Sequence, residues 1–202
     1  MIRSPLTFAA AIFVATAAIS PVQAQPPATD AVASVAQTLA DSTLAAVKVE
    51  SPTERQRLLR EAAKPVMDMD KMSRGVLAYA GIKVPANREA EVLDQLVGYL
   101  GDRITREIER IKPERATIGA VEVESEREAL VPMALVGVKD SIDIEWHFRK
   151  QDEGWRIVDG EVSGSLLTVY FGQRLSRHAR GVDQLVDYLR SQQERSQTAA
   201  RY

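Results

Sequence analysis

The chain has 202 residues, 45% hydrophobic and 27% charged, which suits one globular domain large enough to bury a core. Its 26 Lys and Arg nearly balance its 28 Asp and Glu, and no basic run occurs, which excludes nucleic acid as a partner. There is no cysteine, which removes disulfides, thiolate chemistry and the acylated cysteine of a lipoprotein from consideration.

Residues 1–24 read as a cleaved signal peptide. Arg3 supplies a positive start, residues 6–19 form a short apolar core, and Ser20 and Pro21 break it before the small-x-small site Val22, Gln23, Ala24. The apolar core falls short of the roughly 20 residues a membrane span needs. The mature protein is therefore expected to be exported and soluble, with residues 25–30 a flexible lead.

Residues 31–49 place Val32, Val35, Ala36 and Leu39 at helical spacing. Ser51, Pro52 and Glu54 form a helix start of the capping-box type, and that helix should stop near Pro65. Asp68 and Asp70 resemble the opening of a calcium loop, but the glycine and distant glutamate such a loop requires are missing. They read instead as the cap of a helix bearing Met72, Val76, Leu77 and Tyr79. Residues 85–112 form the longest helix, with Leu93, Leu96, Val97, Leu100, Ile104, Ile108 and Ile111 on one face. Gly98 and Gly101 each cost about 1 kcal/mol there, so a close approach or a bend is expected at them.

After Pro113 the apolar period changes to two. Strands are expected over 118–124, 130–138, 141–150 and from Trp155 to Asp159, with Pro132 marking an edge or a bulge. The third alternates most cleanly, with Ile142, Ile144, Trp146 and Phe148 on one face and Asp143, Glu145, His147 and Arg149 on the other. Asp152, Glu153 and Gly154 make a hairpin turn, and residues 160–164 a glycine-rich break. A helix reaching His178, a last short helix over 182–189 and a fraying polar tail over 191–202 complete the chain. The fold class is α+β: N-terminal helices, a four-stranded antiparallel meander and C-terminal helices packed on one sheet face.

Three stretches resemble the MlaC, or toluene-tolerance, family of periplasmic phospholipid-binding proteins. They are residues 66–77, the Pro85-led helix through Tyr99, and Gly154, Trp155, Arg156, Ile157, Val158, Asp159 with Gly164; Val182 to Val186 resembles the family's closing helix. Where the family typically reads Asn-Tyr-Arg after the motif glycine, this chain has Tyr170, Phe171 and Gly172, with Arg174 only nearby. The resemblance implies a single lipid-binding domain over 31–190 with an apolar pocket. Ile142, Ile144, Trp146 and Phe148 would form its sheet wall, and Val76, Leu77, Leu93, Leu96, Leu100, Val169, Tyr170 and Phe171 its helical wall. It further implies a periplasmic carrier of phospholipid or a related membrane lipid, serving outer-membrane lipid asymmetry. Its partners would be an inner-membrane ABC transporter complex and an outer-membrane lipoprotein complex.

Pattern alone does not separate a cavity from a filled core, so an exported interaction protein is the alternative. A small acid–base enzyme using His147 with Asp159 or Glu145 is a third reading, weakened because His147 falls on the wet face. Ser163 and Ser165 flank Gly164 without forming a nucleophile elbow. With two histidines and no metal spacing, neither a metal nor a cofactor is expected, and no catalysis.

Overall fold

The structure, a computed structural model, describes residues 27–199. The signal peptide read over 1–24 lies outside them.

Helix α1, Ala28–Val47, begins inside the segment read as a lead. Helix α2, Pro52–Ala63, starts as expected: the Ser51 hydroxyl accepts the Glu54 amide at 3.4 Å, and Pro52 occupies the first helical position. The reciprocal half of the capping box does not form, because the Glu54 carboxylate turns to Arg57 at 2.7 Å. Helix α3, Met69–Ala80, is capped by Asp68, whose carboxylate accepts the Lys71 amide at 2.9 Å and the Gln151 side-chain amide at 2.6 Å. Asp68 thus caps a helix and ties it to the sheet.

Helix α4, Glu89–Ile111, follows a 3₁₀ turn at Ala86–Arg88. The close approach expected at Gly98 is present: a Cβ there would lie 3.0 Å from the side-chain amide nitrogen of Gln193. Gly101 lies against the Arg60 stem, whose guanidinium pairs with Asp102 at 2.7 Å. The charged face of α4 is also more than solvated surface. Glu109 receives Arg55 and Gln56, each at 3.1 Å, and Arg106 donates to Ser196 at 2.8 Å.

The sheet has six antiparallel strands rather than four: β1 (Arg115–Ile118), β2 (Glu122–Val123), β3 (Glu128–Val136), β4 (Ser141–Gln151), β5 (Gly154–Val162) and β6 (Ser165–Leu166). The order is β1-β3-β4-β5-β6, with β2 also on β3. The strand expected over 118–124 is therefore broken in two. Pro132 explains the break: it lacks the amide hydrogen a continuous partner would need. The chain opposite leaves register between Ile118, paired with Met133, and Glu122, paired with Leu130. Gly119 still donates to the Pro132 carbonyl at 2.7 Å.

The expected break at Gly160 is also corrected, since β5 runs through it to Val162. Gly160 faces Trp146, and a Cβ there would sit 2.8 Å from the indole ring. Its smallness serves packing rather than a turn. The chain reverses at Ser163 and Gly164, both at positive φ (52° and 75°), as a two-residue hairpin with the right twist requires.

Helix α5 spans Leu167–Ser176 and α6 spans Val182–Ala199. The expected short last helix and the tail as far as Ala199 are thus one long helix, its second half held by the Gln193 and Ser196 contacts to α4, while residues 200–202 of the expected tail lie outside the described residues. One sheet face carries the buried Ala129, Val131, Met133, Leu135, Ile144, Trp146, Phe148, Trp155 and Ile157. Helices α1, α3 and α5 cover that face, while α4 packs behind them against α2, α3 and α6.

Candidate functional site

The Gly154-to-Gly164 stretch positions the helix nearest the sheet's last long strand. Gly154, at φ 122°, closes the β4–β5 turn, and Trp155 is buried beneath the helices. Asp159 then performs the step that joins strand to helix. Its carboxylate accepts the Gly160 amide at 2.8 Å, the Thr168 amide at 3.2 Å and the Thr168 hydroxyl. An acidic group nine residues upstream thus satisfies an orphan amide in the first turn of α5. Helix α5 leaves this anchor pressed against α3, through glycine on each side. A Cβ on Gly75 would lie 3.0 Å from the Thr168 methyl carbon. One on Gly172 would lie 2.8 Å from the Tyr79 Cβ and 3.1 Å from the Val76 carbonyl oxygen.

The twelve residues expected to line a pocket fall into three groups. Ile144, Trp146 and Phe148 are buried on the sheet, with Ile142 half-buried where β4 begins. Val76, Leu77 and Phe171 are buried on the helices that lie directly on the sheet, and Leu93, Leu96 and Leu100 on α4 behind them. Val169 is half-buried, and Tyr170 is 47% exposed. All the buried members belong to one continuous apolar cluster. Two open concavities border the molecule elsewhere. One of about 740 Å³ lies along Arg177, His178, Arg180, Gln184 and Tyr188. Another of about 400 Å³ lies on the sheet beside Pro132, Glu145 and Glu161. Of the twelve residues only Ile144 touches either.

The interior is not uniformly apolar. Ser73 Oγ and Trp146 Nε1 are sealed from water without a hydrogen-bond partner, on residues 0% and 5% exposed. An unpaired buried donor costs about 1–3 kcal/mol, so these two need a reason. Tyr99 heads a polar group the sequence reading missed. Its ring meets Phe171 and Tyr188 edge-on at 6.2 and 6.1 Å, and its hydroxyl interacts with the Tyr188 hydroxyl and the Arg174 guanidinium in a group sealed from water. Helical spacing was the available signal, because Tyr99 lies three positions after Leu96 on the inward face of α4. Arg174 and Tyr188 offered none, their meeting being tertiary.

Burial pushes the Tyr99 phenol up to about 12, with the adjacent Tyr188 side chain adding to the rise. The unfolded chain releases this proton near its ordinary value of about 10, whereas the fold retains it. The contribution of neutral Tyr99 is therefore complete below pH 10 and is lost as pH rises through 12, a swing of about 2–3 kcal/mol. Urea unfolding at pH 9 and pH 11.5 should show wild type losing more stability than Tyr99→Phe. Equal losses would refute this role for Tyr99.

Comparison with known proteins bears on the fold so described. The sequence model of the family described as MlaC protein matches residues 31–191. The chain belongs to the MlaC family. No curated protein matches it. Among solved structures, the phospholipid-binding protein from Ralstonia solanacearum, determined in complex with a phospholipid, is similar with a TM-score of 0.65. The two are 14% identical, over 85% of this chain and 99% of that one; the likeness shows a shared fold. At Gly172 the approach of α3 leaves no room for a side chain. Among the described residues no helix is long and apolar enough to cross a membrane.

Proposed function

We propose that this MlaC-family protein is a periplasmic phospholipid carrier. The acyl chains enter between the sheet wall of Ile144, Trp146 and Phe148 and the helical wall of Val76, Leu77 and Phe171. Leu93, Leu96 and Leu100 back that wall. The observation that carries this reading is the set of orphan donors inside the apolar cluster. Ser73 and Trp146 offer hydrogen bonds to nothing in the protein, and the ester and phosphate oxygens of a phospholipid are acceptors of the right kind. Arg174, beside Tyr99 and Tyr188, adds a cation suited to the phosphate.

Each CH₂ withdrawn from water is worth about 0.8 kcal/mol, so shielding part of one acyl chain supplies several kcal/mol. A bilayer offers the same shelter. The carrier therefore only matches the membrane, and direction comes from its partners, an inner-membrane ABC transporter complex and an outer-membrane lipoprotein complex. Export through a cleaved signal peptide over residues 1–24 places it between them. No chemistry is required of the protein.

Native mass spectrometry of protein taken from its own periplasm should find one phospholipid per chain, and delipidated protein should melt higher once phospholipid is restored. A lipid-free spectrum with no melting response would favour the alternative, an exported interaction protein with a filled core.

A further inference from the structure

The outer face of the sheet, turned away from the apolar cluster, gathers three ligating side chains that the linear sequence keeps apart. Glu145 and His147 lie two residues apart on β4, on the face opposite Trp146 and Phe148, and Glu161 on β5 pairs directly with Glu145. One ligand atom from each, two carboxylate oxygens and an imidazole nitrogen, lies within 4.8 Å of the others.

Three further features point to a cation among them. Carboxylates placed directly opposite across two strands repel. Among the described residues no lysine or arginine pairs with either glutamate. The Nε2 of His147 is sealed from solvent with no partner, although the residue itself is only half-buried. The β4–β5 register slips between His147 and Phe148, and such bulges re-aim the side chain beside them. Asp159, opposite His147, is not part of the group because its carboxylate is committed to Gly160 and Thr168.

The geometry points to a site for one divalent transition-metal ion, of the zinc class, held by Glu145, His147 and Glu161. One imidazole and two carboxylates favour such an ion over calcium or magnesium, which take oxygen ligands almost alone. Ligands about 2.1 Å from a tetrahedral ion stand roughly 3.4 Å apart, so small rotations of the two glutamates complete the set. The ion clamps β4 to β5 on the solvent face, and it stands independently of the lipid reading.

Metal-stripped full-length mature protein titrated with zinc chloride is expected to bind one ion per chain, by calorimetry, and to melt several degrees higher. Calcium chloride and magnesium chloride should leave the melting temperature unchanged. His147→Gln and Glu161→Gln should each weaken zinc binding at least tenfold while keeping the wild-type far-ultraviolet circular dichroism spectrum. Should Glu161→Gln fail to fold, Glu145→Gln carries the same expectation. His178→Ala should bind zinc as wild type does. The assignment is overturned by the absence of saturable zinc binding below about 100 µM. It is equally overturned by undiminished binding in the His147→Gln/Glu161→Gln double variant, or by a loss that follows His178→Ala instead.

Discussion

Gly172→Arg should unfold this protein or lower its melting temperature by more than 10 °C. The reason is local. A Cβ at 172 would meet the Tyr79 Cβ at 2.8 Å and the Val76 carbonyl at 3.1 Å, and neither can swing away as the end of a long side chain would. Both belong to α3, which is itself fixed by the Asp68 cap and by the approach of Gly75 to Thr168. Overpacking of this kind costs about 1–3 kcal/mol for one added methyl and more for a larger group. Gly172→Ala should therefore lose about 1–3 kcal/mol in urea unfolding, and Gly172→Arg more still. If Gly172→Arg melts with wild type, the α3–α5 contact is not the constraint described. Placing arginine at Val169 or Gln173 instead supplies the control, because those positions are half-buried and exposed and tolerate length.

That prediction turns on a close approach that the sequence did not display. Gly172 stands in plain sight in the sequence, but what packs against it is α3, some ninety residues earlier. The same division runs through the fold. Alternation in β4 named Trp146 and Phe148 as core and His147 as outer face, because side-chain direction in a strand follows from parity alone. Ser51 and Asp68 were legible as caps for a similar reason, since a cap acts within three residues of itself. Gly98 announced a close neighbour, though not that Gln193 would be it.

What stayed hidden depends on contacts between distant segments. Leu93, Leu96 and Leu100 mark an inward face, yet nothing in their spacing places α4 behind α3 rather than on the sheet. The polar residues after Leu189 looked like a tail, and only the groove along α4 makes them helix. Gly160 looked like a break because its requirement, the breadth of the Trp146 indole, sits on another strand. Tyr99, Tyr188 and Arg174 come from three helices, and the Glu145–Glu161 pair from two strands. Periodicity reports which way a side chain faces and leaves open what it meets.

Phe148→Ala tests whether the interior serves cargo as well as stability. Phe148 is 2% exposed and pairs across the strands with Ile157, deep in the apolar cluster. Removing its ring should cost delipidated protein about 3–5 kcal/mol, lost transfer energy together with the cavity left behind. For a domain of this size that amounts to a melting temperature lower by roughly 10 °C. In a plain filled core the loss would be the same whether or not lipid is offered. In a carrier, an acyl chain fills part of the space the ring vacates, so the variant recovers part of its loss when lipid binds. Its melting temperature should then rise on adding phospholipid by more than that of wild type, because stabilisation follows the affinity of the folded state for its ligand. A smaller or absent response in Phe148→Ala, with the fold intact by circular dichroism, would place the acyl chains elsewhere than against the sheet. Leu185→Ala provides the comparison. Leu185 is equally buried on α6 but apart from the proposed sheet wall, so its cost should be similar and its lipid response that of wild type. Together the two variants separate a core that merely holds the protein up from one that also opens to hold a lipid.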